Sequence, residues 1–380
     1  MWKFAYNFGW KGMRSVQQFK KRLKHGVHFP PFIYISVTNA CNLRCVGCWV
    51  DVTAPSHHMP AADLNALITN SQKHGNSFFG ILGGEPFTHP DLLDVFDAHP
   101  DCYFQVFTNA QFITDEVAAR LRRAGNVTPL VSIEGNELIS DQRRGQKKVL
   151  SHTMRGLEAC IRHKLITGVA TSVCQNNYEL VSEAWLDKLI DLGVLYVWYY
   201  TYRPIGPQAA PELGLRPDQI VNVRRFCVKM RKKKPIGIVD AYWDDQGKAL
   251  CPAATGISHH IGPWGDIEPC PIIQLAAAKI TDNNGDIFKT MTEAKYIDDF
   301  RKTAAGHTRG CIVLERPDLL ADYAKRHGLR DTTVRQTVYA ELQHLPHKTS
   351  QHQPGQEIPE EHWMYRFAKK HWFFGFGAYS

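Results

Sequence analysis

The sequence predicts an α/β fold: a partial (β/α)6 barrel, TIM-like, with a small C-terminal extension. Three observations carry this. From residue 32 to about 235, short β-branched or aromatic runs alternate with helix-period segments, the pattern of a parallel sheet with crossover helices. After about residue 235 that rhythm breaks into Gly- and Pro-punctuated pieces that carry three further cysteines. The composition, 44% apolar and 22% charged with 28 Gly and 21 Pro, is that of a globular chain rather than a disordered, collagenous or coiled-coil one.

Strands are expected at 32–37, 78–82, 103–108, 130–133, 169–174 and 195–202, and helices near 61–74, 91–98, 115–124, 149–164, 180–192 and 217–233. Several helices carry start signals: Pro60 with Asp63, Thr114 before Asp115 and Glu116, Pro217 with Asp218. Six such units make three quarters of an eight-unit barrel. Active sites in such barrels sit at the C-terminal ends of the strands, so the residues just after each strand are the ones to read for chemistry. The chain then divides into a basic aromatic segment at 1–31, the barrel at 32–235, a loop-rich extension at 236–315 that calls for a metal, and 316–380. That last part reads as a helical stretch to 344, a His/Gln/Pro-rich linker over 345–360 and an aromatic tail.

No apolar run reaches the roughly 18 residues of a membrane span. The opening residues lack an apolar core and cleavage site for secretion, so a cytoplasmic protein is expected, and its ten cysteines read as metal or redox residues rather than a disulfide framework. Residues 1–30 hold seven Lys/Arg and 362–380 hold three, with no acid in either, so the net charge of +8 belongs to the two ends and the body is slightly acidic. The ends are also aromatic: Trp2, Phe4, Tyr6, Phe8 and Trp10 at one, Trp363, Tyr365, Phe367, Trp372, Phe373, Phe374, Phe376 and Tyr379 at the other. Two readings stay open, peripheral contact with the anionic inner face of a membrane or packing of both ends onto the barrel. The acidic body, without an RNA-binding motif, argues against a nucleic-acid partner.

The chemistry is densest directly after the first strand, where Cys41, Cys45 and Cys48 stand at C-x3-C-x2-C spacing in one tight loop. Three thiolates so placed can hold three irons of a [4Fe–4S] cluster and leave the fourth open. A structural zinc site is the alternative, but zinc prefers four closed ligands, usually as C-x2-C pairs, and no fourth ligand is adjacent. Further motifs follow at strand ends: Gly83-Gly84-Glu85-Pro86, Thr108-Asn109, Ser132-Ile133-Glu134-Gly135 and Asp141-Gln142-Arg143-Arg144-Gly145.

In this order the motifs resemble those of the radical S-adenosylmethionine (SAM) enzymes over residues 32–205. The resemblance implies a [4Fe–4S] cluster on the three cysteines with SAM on its open iron, and an electron donor such as flavodoxin or ferredoxin. It also implies cleavage of SAM to a 5′-deoxyadenosyl radical that removes hydrogen from a substrate C–H bond, with the cofactors carrying the hard step. It assigns Gly83, Gly84, Glu85 and Pro86 to the amino end of SAM and Asn109 to the same site. Ser132 and Glu134 would face its ribose or methionyl groups, and Arg144 its carboxylate. Glycines let backbone approach a small polar ligand, and a carboxylate suits an ammonium. One departure stands out: the family usually has an aromatic residue before the third cysteine, and here that position is Gly47, with Trp49 one residue beyond.

In the extension, Cys251 and Cys270 bracket Trp264-Gly265-Asp266-Ile267-Glu268-Pro269, and Cys311 follows in Arg309-Gly310-Cys311. This is similar to the opening of a SPASM domain, cut short like the "twitch" version because Leu314 stands where the next cysteine belongs. The resemblance implies one auxiliary [4Fe–4S] cluster on Cys251, Cys270 and Cys311. His259, His260, His307, Glu315, Cys227 or no residue at all would complete it. Cys102, Cys160, Cys174 and Cys227 read as buried thiols.

The sixth strand ends in Tyr199-Tyr200-Thr201-Tyr202-Arg203-Pro204-Ile205-Gly206, similar to a stretch found there in SPASM enzymes, and makes Tyr200, Tyr202 and Arg203 candidate substrate contacts. A peptide, a lipid or isoprenoid, or another natural-product precursor all fit. The competing reading is a non-catalytic iron–sulfur carrier or sensor on the same fold, which would have no use for Glu85 and Arg144.

Overall fold

The strand–helix alternation curls into an open barrel in the computed structural model, which describes residues 2–240, 242–249, 251–348 and 355–372. Helix α1 (Lys11–Lys24), preceded by a π-helical stretch at Phe4–Trp10, leads into six parallel strands: β1 (Phe32–Ser36), β2 (Phe78–Leu82), β3 (Tyr103–Thr108), β4 (Val127–Ser132), β5 (Gly168–Val173) and β6 (Tyr196–Thr201). Between and after them run α2 (Ala61–Lys73), α3 (Leu92–Ala98), α4 (Asp115–Ala124), α5 (Glu137–Arg144), α6 (Val149–Arg162), α7 (Glu183–Asp191) and α8 (Pro217–Met230). Thr114 caps α4 through Val117 N–H (3.3 Å), as its position before two acids predicts.

The period of two sorts the side chains. Ile33 and Ile35 of β1, Phe104 and Val106 of β3, and Val197 and Tyr199 of β6 pack outward under the helices. Phe32 and Tyr34, Gln105 and Phe107, and Trp198 and Tyr200 face inward and line one cavity of about 450 Å³.

Two differences from the expected elements have local causes. β4 starts three residues early and tolerates Pro129, because pairing with β5 begins only at Leu130, one residue past the missing N–H. The unforeseen helix α5 is built by Asn136, which accepts from Ile139 N–H (3.0 Å), and ends at Gly145 with φ +69°.

The extension adds strands to both sides of the barrel sheet. β7 (Gly237–Val239) pairs parallel to β6, and β8 (Ser258–Ile261) pairs parallel to β1, with β9 (Ile267–Glu268) antiparallel to it. The short helix α9 (Pro252–Thr255) lies before β8, and α10 (Ile287–Glu293), α11 (Lys295–His307), α12 (Ile312–Glu315) and α13 (Pro317–Arg326) follow. The helical stretch to 344 is broken: Gly328 turns at φ +59°, Arg330–Asp331 pairs as a strand, and α14 (Val338–His344) resumes.

Both ends pack on the barrel with one face. Phe8 is buried against Phe78 (ring centroids 4.7 Å) and beside Trp372 (4.8 Å), Phe4 meets Tyr103 (5.4 Å), and Ser77 Oγ donates to Asn7 O (2.8 Å), so the first turns cap the N-terminal end of the strands. The last described helix, α15 (Trp363–His371), is held by a buried ion network. Arg224 and Arg231 each meet Asp240 at 2.7 Å, Lys369 Nζ joins at 3.0 Å, and Glu360 completes the set. Such charges are tolerable in the core only because each is paired. The expected linker therefore ends in an anchor, since Arg224 also donates to Ile358 O (2.9 Å). Residues 349–354 of that linker and Phe373, Phe374, Phe376 and Tyr379 of the tail lie outside the described residues. The opposite faces stay open: Trp2, Tyr6, Trp10, Trp363, Met364 and Phe367 are exposed. Among the described residues no helix is long and apolar enough to cross a membrane.

Candidate active site

The cavity opens at the C-terminal ends of the strands, and both cysteine sets stand in its wall. The loop after β1 is tied to its neighbours by backbone. Gly84 N–H donates to Thr38 O and Glu85 N–H to Ala40 O, both at 2.8 Å, while Val46 N–H donates to Arg143 O (2.8 Å). That approach needs the glycines: a Cβ on Gly84 would lie 2.3 Å from Ala40 O. Cys41, Cys45 and Cys48 are free, half-buried thiols close enough for each to influence another's ionisation. Burial pushes Cys41 up to about 11 and Cys48 up to about 12, and Cys45 rises for the same reason although the Arg144 guanidinium pulls it down.

Gly47 explains the departure from the expected aromatic. Its backbone lies at φ +78°, and a Cβ there would sit 2.3 Å from the hydroxyl of Tyr202. The ring beside the third cysteine comes from the end of β6 instead. Tyr202 is held there by Ala210 N–H (3.1 Å) and by Arg143, whose guanidinium lies 4.5 Å from the ring centroid.

Glu85 is buried and accepts from Asn109 N–H (2.7 Å), Thr108 Oγ1 (2.7 Å) and Phe87 N–H (3.1 Å). Burial nevertheless pushes its carboxyl up to about 7, so a cation beside it would restore the charge. Asn109 Nδ2 donates to Asn42 Oδ1 (2.8 Å), joining β3 to the cysteine loop. Arg144 and Glu134 are paired at 2.8 Å, and Asn177 Nδ2 donates to the other Glu134 oxygen (3.3 Å). Ser132 is half-buried in the same wall. Asn42 and Asn177 carry no spacing signal in the sequence; only their neighbours in space reveal them.

The second set gathers from three places. Cys251 precedes α9, Cys270 follows β9 in a hairpin, and Cys311 precedes α12. Cys251 is pushed up to about 11 by burial with Cys311 beside it, and Cys270 is raised by burial with both others near. The residues left open as a further ligand are engaged elsewhere. His259 contacts Pro269 O (3.1 Å) and His28 (3.4 Å), and His260 contacts Ser36 (2.8 Å) and Glu268 (2.6 Å). Glu315 accepts from Thr308 Oγ1, Arg309 N–H and Cys311 N–H, and His307 is exposed and contacts Thr303 O. Cys227 lies in the core on α8, as Cys102, Cys160 and Cys174 lie buried elsewhere. On the cavity side the three thiols face Arg203, Tyr242 and Tyr34. Tyr200 and Arg203 line the cavity too, Tyr200 stacked on Trp198 at 4.9 Å.

Both donor sets fit iron–sulfur clusters better than single ions. All six thiols are free and face one cavity, and three thiolates suit three corners of a cubane. A closed tetrahedral zinc site at the second set would need a fourth ligand, and the histidines and the carboxylate nearby are engaged elsewhere.

Residues 35–181 match the family model described as the Radical SAM superfamily. The chain is 29% identical to an AdoMet-dependent heme synthase of Methanosarcina barkeri, over 73% of this chain and 90% of that one. It is 24% identical to the sporulation killing factor maturation protein SkfB of Bacillus subtilis, over 41% of this chain and 39% of that one. The fold is similar to that of Streptococcus suis SuiB bound to its precursor peptide SuiA, with a TM-score of 0.64 and 15% identity over 78% of this chain and 72% of that one.

Proposed function

With residues 35–181 a radical SAM domain, and the chain thus an enzyme of the kind that cleaves SAM at a [4Fe–4S] cluster, we propose the roles of its own residues and the class of its substrate. Cys41, Cys45 and Cys48 hold the SAM-binding cluster. Cys251, Cys270 and Cys311 hold one auxiliary [4Fe–4S] cluster of a shortened SPASM or twitch-like extension over 236–315, beside the barrel at 32–235. When bound, the first cluster would supply the single electron for reductive cleavage of the C–S bond of SAM, the source of the hydrogen-abstracting species.

The protein's part is to bind, orient and shield. Gly83, Gly84 and Pro86 shape the turn that brings backbone to the amino end of SAM, and Glu85, whose buried carboxyl the neighbouring cation would return to its charged form, takes the ammonium as a carboxylate. Asn109 holds the cysteine loop against β3. Arg144 turns toward the SAM carboxylate while Glu134 keeps it in place, and Ser132 and Glu134 face the ribose. The aromatic walls of the barrel exclude water from the radical. The observation that carries the reading is the meeting of both cysteine sets and Glu85 in the wall of one cavity.

The substrate is a natural-product precursor with a largely apolar body. The heme-synthase relative, aligned over more than the barrel's length, favours a tetrapyrrole, and the likeness to SkfB and SuiB favours a peptide. An electron donor such as flavodoxin or ferredoxin completes the cycle. The exposed faces of the two terminal helices, aromatic and without acids at 1–30, support peripheral contact with an anionic membrane. The anaerobic, reconstituted protein with dithionite and SAM should release 5′-deoxyadenosine; release of neither that nor methionine would leave only a carrier or sensor. Flotation with anionic liposomes should require residues 1–30, and no flotation of the intact protein removes the membrane contact.

A further inference from the structure

We propose that Arg203 holds a carboxylate of the substrate, so that the enzyme acts on a molecule with one anionic end and an apolar or aromatic body. This rests on the radical SAM reading and narrows its substrate. The buried arginines elsewhere each have a carboxylate: Arg144 has Glu134 (2.8 Å), and Arg224 and Arg231 share Asp240 (2.7 Å each). Arg203, half-buried in the cavity wall, pairs with none among the described residues. Its Nη1 donates to Thr201 O (2.9 Å), its guanidinium lies over the Tyr242 ring at 4.2 Å, and the thiols of Cys311, to which it is hydrogen-bonded, and of Cys251 lie beside it.

A guanidinium cannot shed its charge, and although the Cys251, Cys270 and Cys311 thiolates of the proposed cluster would offset it, none of them offers the paired oxygens that its fork matches. A carboxylate would supply them on binding. The surroundings say which kind. Next to Arg203 the backbone donors that would cradle a phosphate are already used: Arg309 and Cys311 N–H on Glu315 (3.2 and 3.1 Å) and Gly310 N–H on Thr308 (3.2 Å). With those backbone donors used, one guanidinium beside the Tyr242 hydroxyl matches one carboxylate. Deeper in, the ring faces of Phe107, Trp198 and Tyr200 make the wall mostly apolar, and the polar Gln105 is tied to Tyr196 (2.9 Å). Body and anion thus have separate places in one cavity.

The test uses the anaerobic, reconstituted full-length protein and three probes with the same two-atom spacer from a phenyl ring: 3-phenylpropionate, 3-phenylpropionamide and benzyl phosphate. Binding is followed by calorimetry and by quenching of tryptophan fluorescence, to which Trp198 in the wall contributes. The carboxylate should bind at least tenfold more tightly than the amide and than the phosphate. R203Q should erase the difference between acid and amide, and R203K should retain part of it. Equal affinity for acid and amide, no binding of the acid, preference for the phosphate, or a preference that survives R203Q overturns the proposal. So does an R203Q protein whose auxiliary-cluster reduction potential moves while the probe preference stays, because Arg203 would then serve the thiolates alone. SAM cleavage is measured on the same samples. Wild type that cleaves SAM but does not discriminate the probes sinks only this inference, whereas absent cleavage sinks the function beneath it.

Discussion

The two cysteine sets differ in how they are made. Cys41, Cys45 and Cys48 come from eight consecutive residues in one loop, pinned by backbone bonds to Gly84, Glu85 and Arg143. Cys251, Cys270 and Cys311 come from three segments of the extension and meet only because β8 pairs with β1 and the α11–α12 connection folds back. A set within one loop is mostly shaped before folding is complete, whereas a dispersed set closes long loops and draws its geometry from the whole extension. The first is therefore suited to a fixed reaction site, and a cluster on the second, as proposed, would also staple three segments of the extension together.

The largest effect expected from this contrast is on chemistry and iron. C41A/C45A/C48A should end SAM cleavage and keep about four of roughly eight irons, while C251A/C270A/C311A should keep the other four and still release 5′-deoxyadenosine without substrate turnover. A wild type with only about four irons would erase the second site from the comparison. Stability should show the opposite ranking. Loss of the dispersed set should lower Tm more than loss of the loop set, because metal binding there is coupled to folding of the extension. Equal losses in differential scanning calorimetry would show that the extension folds without its staple.

A smaller effect tests the loop site alone. G47A places a Cβ against Tyr202 and at a positive φ, and should cost about 1–3 kcal/mol in thermal unfolding. G47A/Y202L, which removes the ring, should recover part of it. The smallest concerns Glu85. Its carboxyl is raised to about 7 in the fold, so the native state binds a proton that the unfolded chain releases near its ordinary value of 4.5. The stabilisation is then fully present below pH 4.5 and is lost as pH rises toward 7, on the order of 3 kcal/mol at most. SAM-free wild type should lose stability over that window and E85Q should not. A pH-independent wild type would show that the three hydrogen bonds already hold the carboxylate charged.

Strand and helix order was legible because the alternation of β-branched runs with helical segments is local, and the GGEP, Asn109 and Ser132-to-Arg144 stretches were legible because each sits at a strand end. The strand β8 was not, since Ser258–Ile261 carries two histidines and reads as loop until β1 pairs with it. Nor was α5, whose Asn136 cap became visible only with the helix it starts. The two terminal segments were half legible. Composition showed their charge and aromatics, but which rings fill the barrel's base and which stay in solvent depends on the helix phase set by Phe8 and Tyr365.

By itself the sequence determined the class of chemistry: three thiols in one short loop, a carboxylate and an arginine at successive strand ends, and the barrel that orders them. Only the tertiary structure decided that both cysteine sets share one cavity, that Tyr202 rather than a loop residue supplies the ring beside Gly47, and that Arg203 has no carboxylate partner among the described residues. Spacing fixes what neighbours in sequence can do. Pairing, exclusion and the absence of a partner depend on contacts between residues far apart in the chain, which exist only once the sheet has curled.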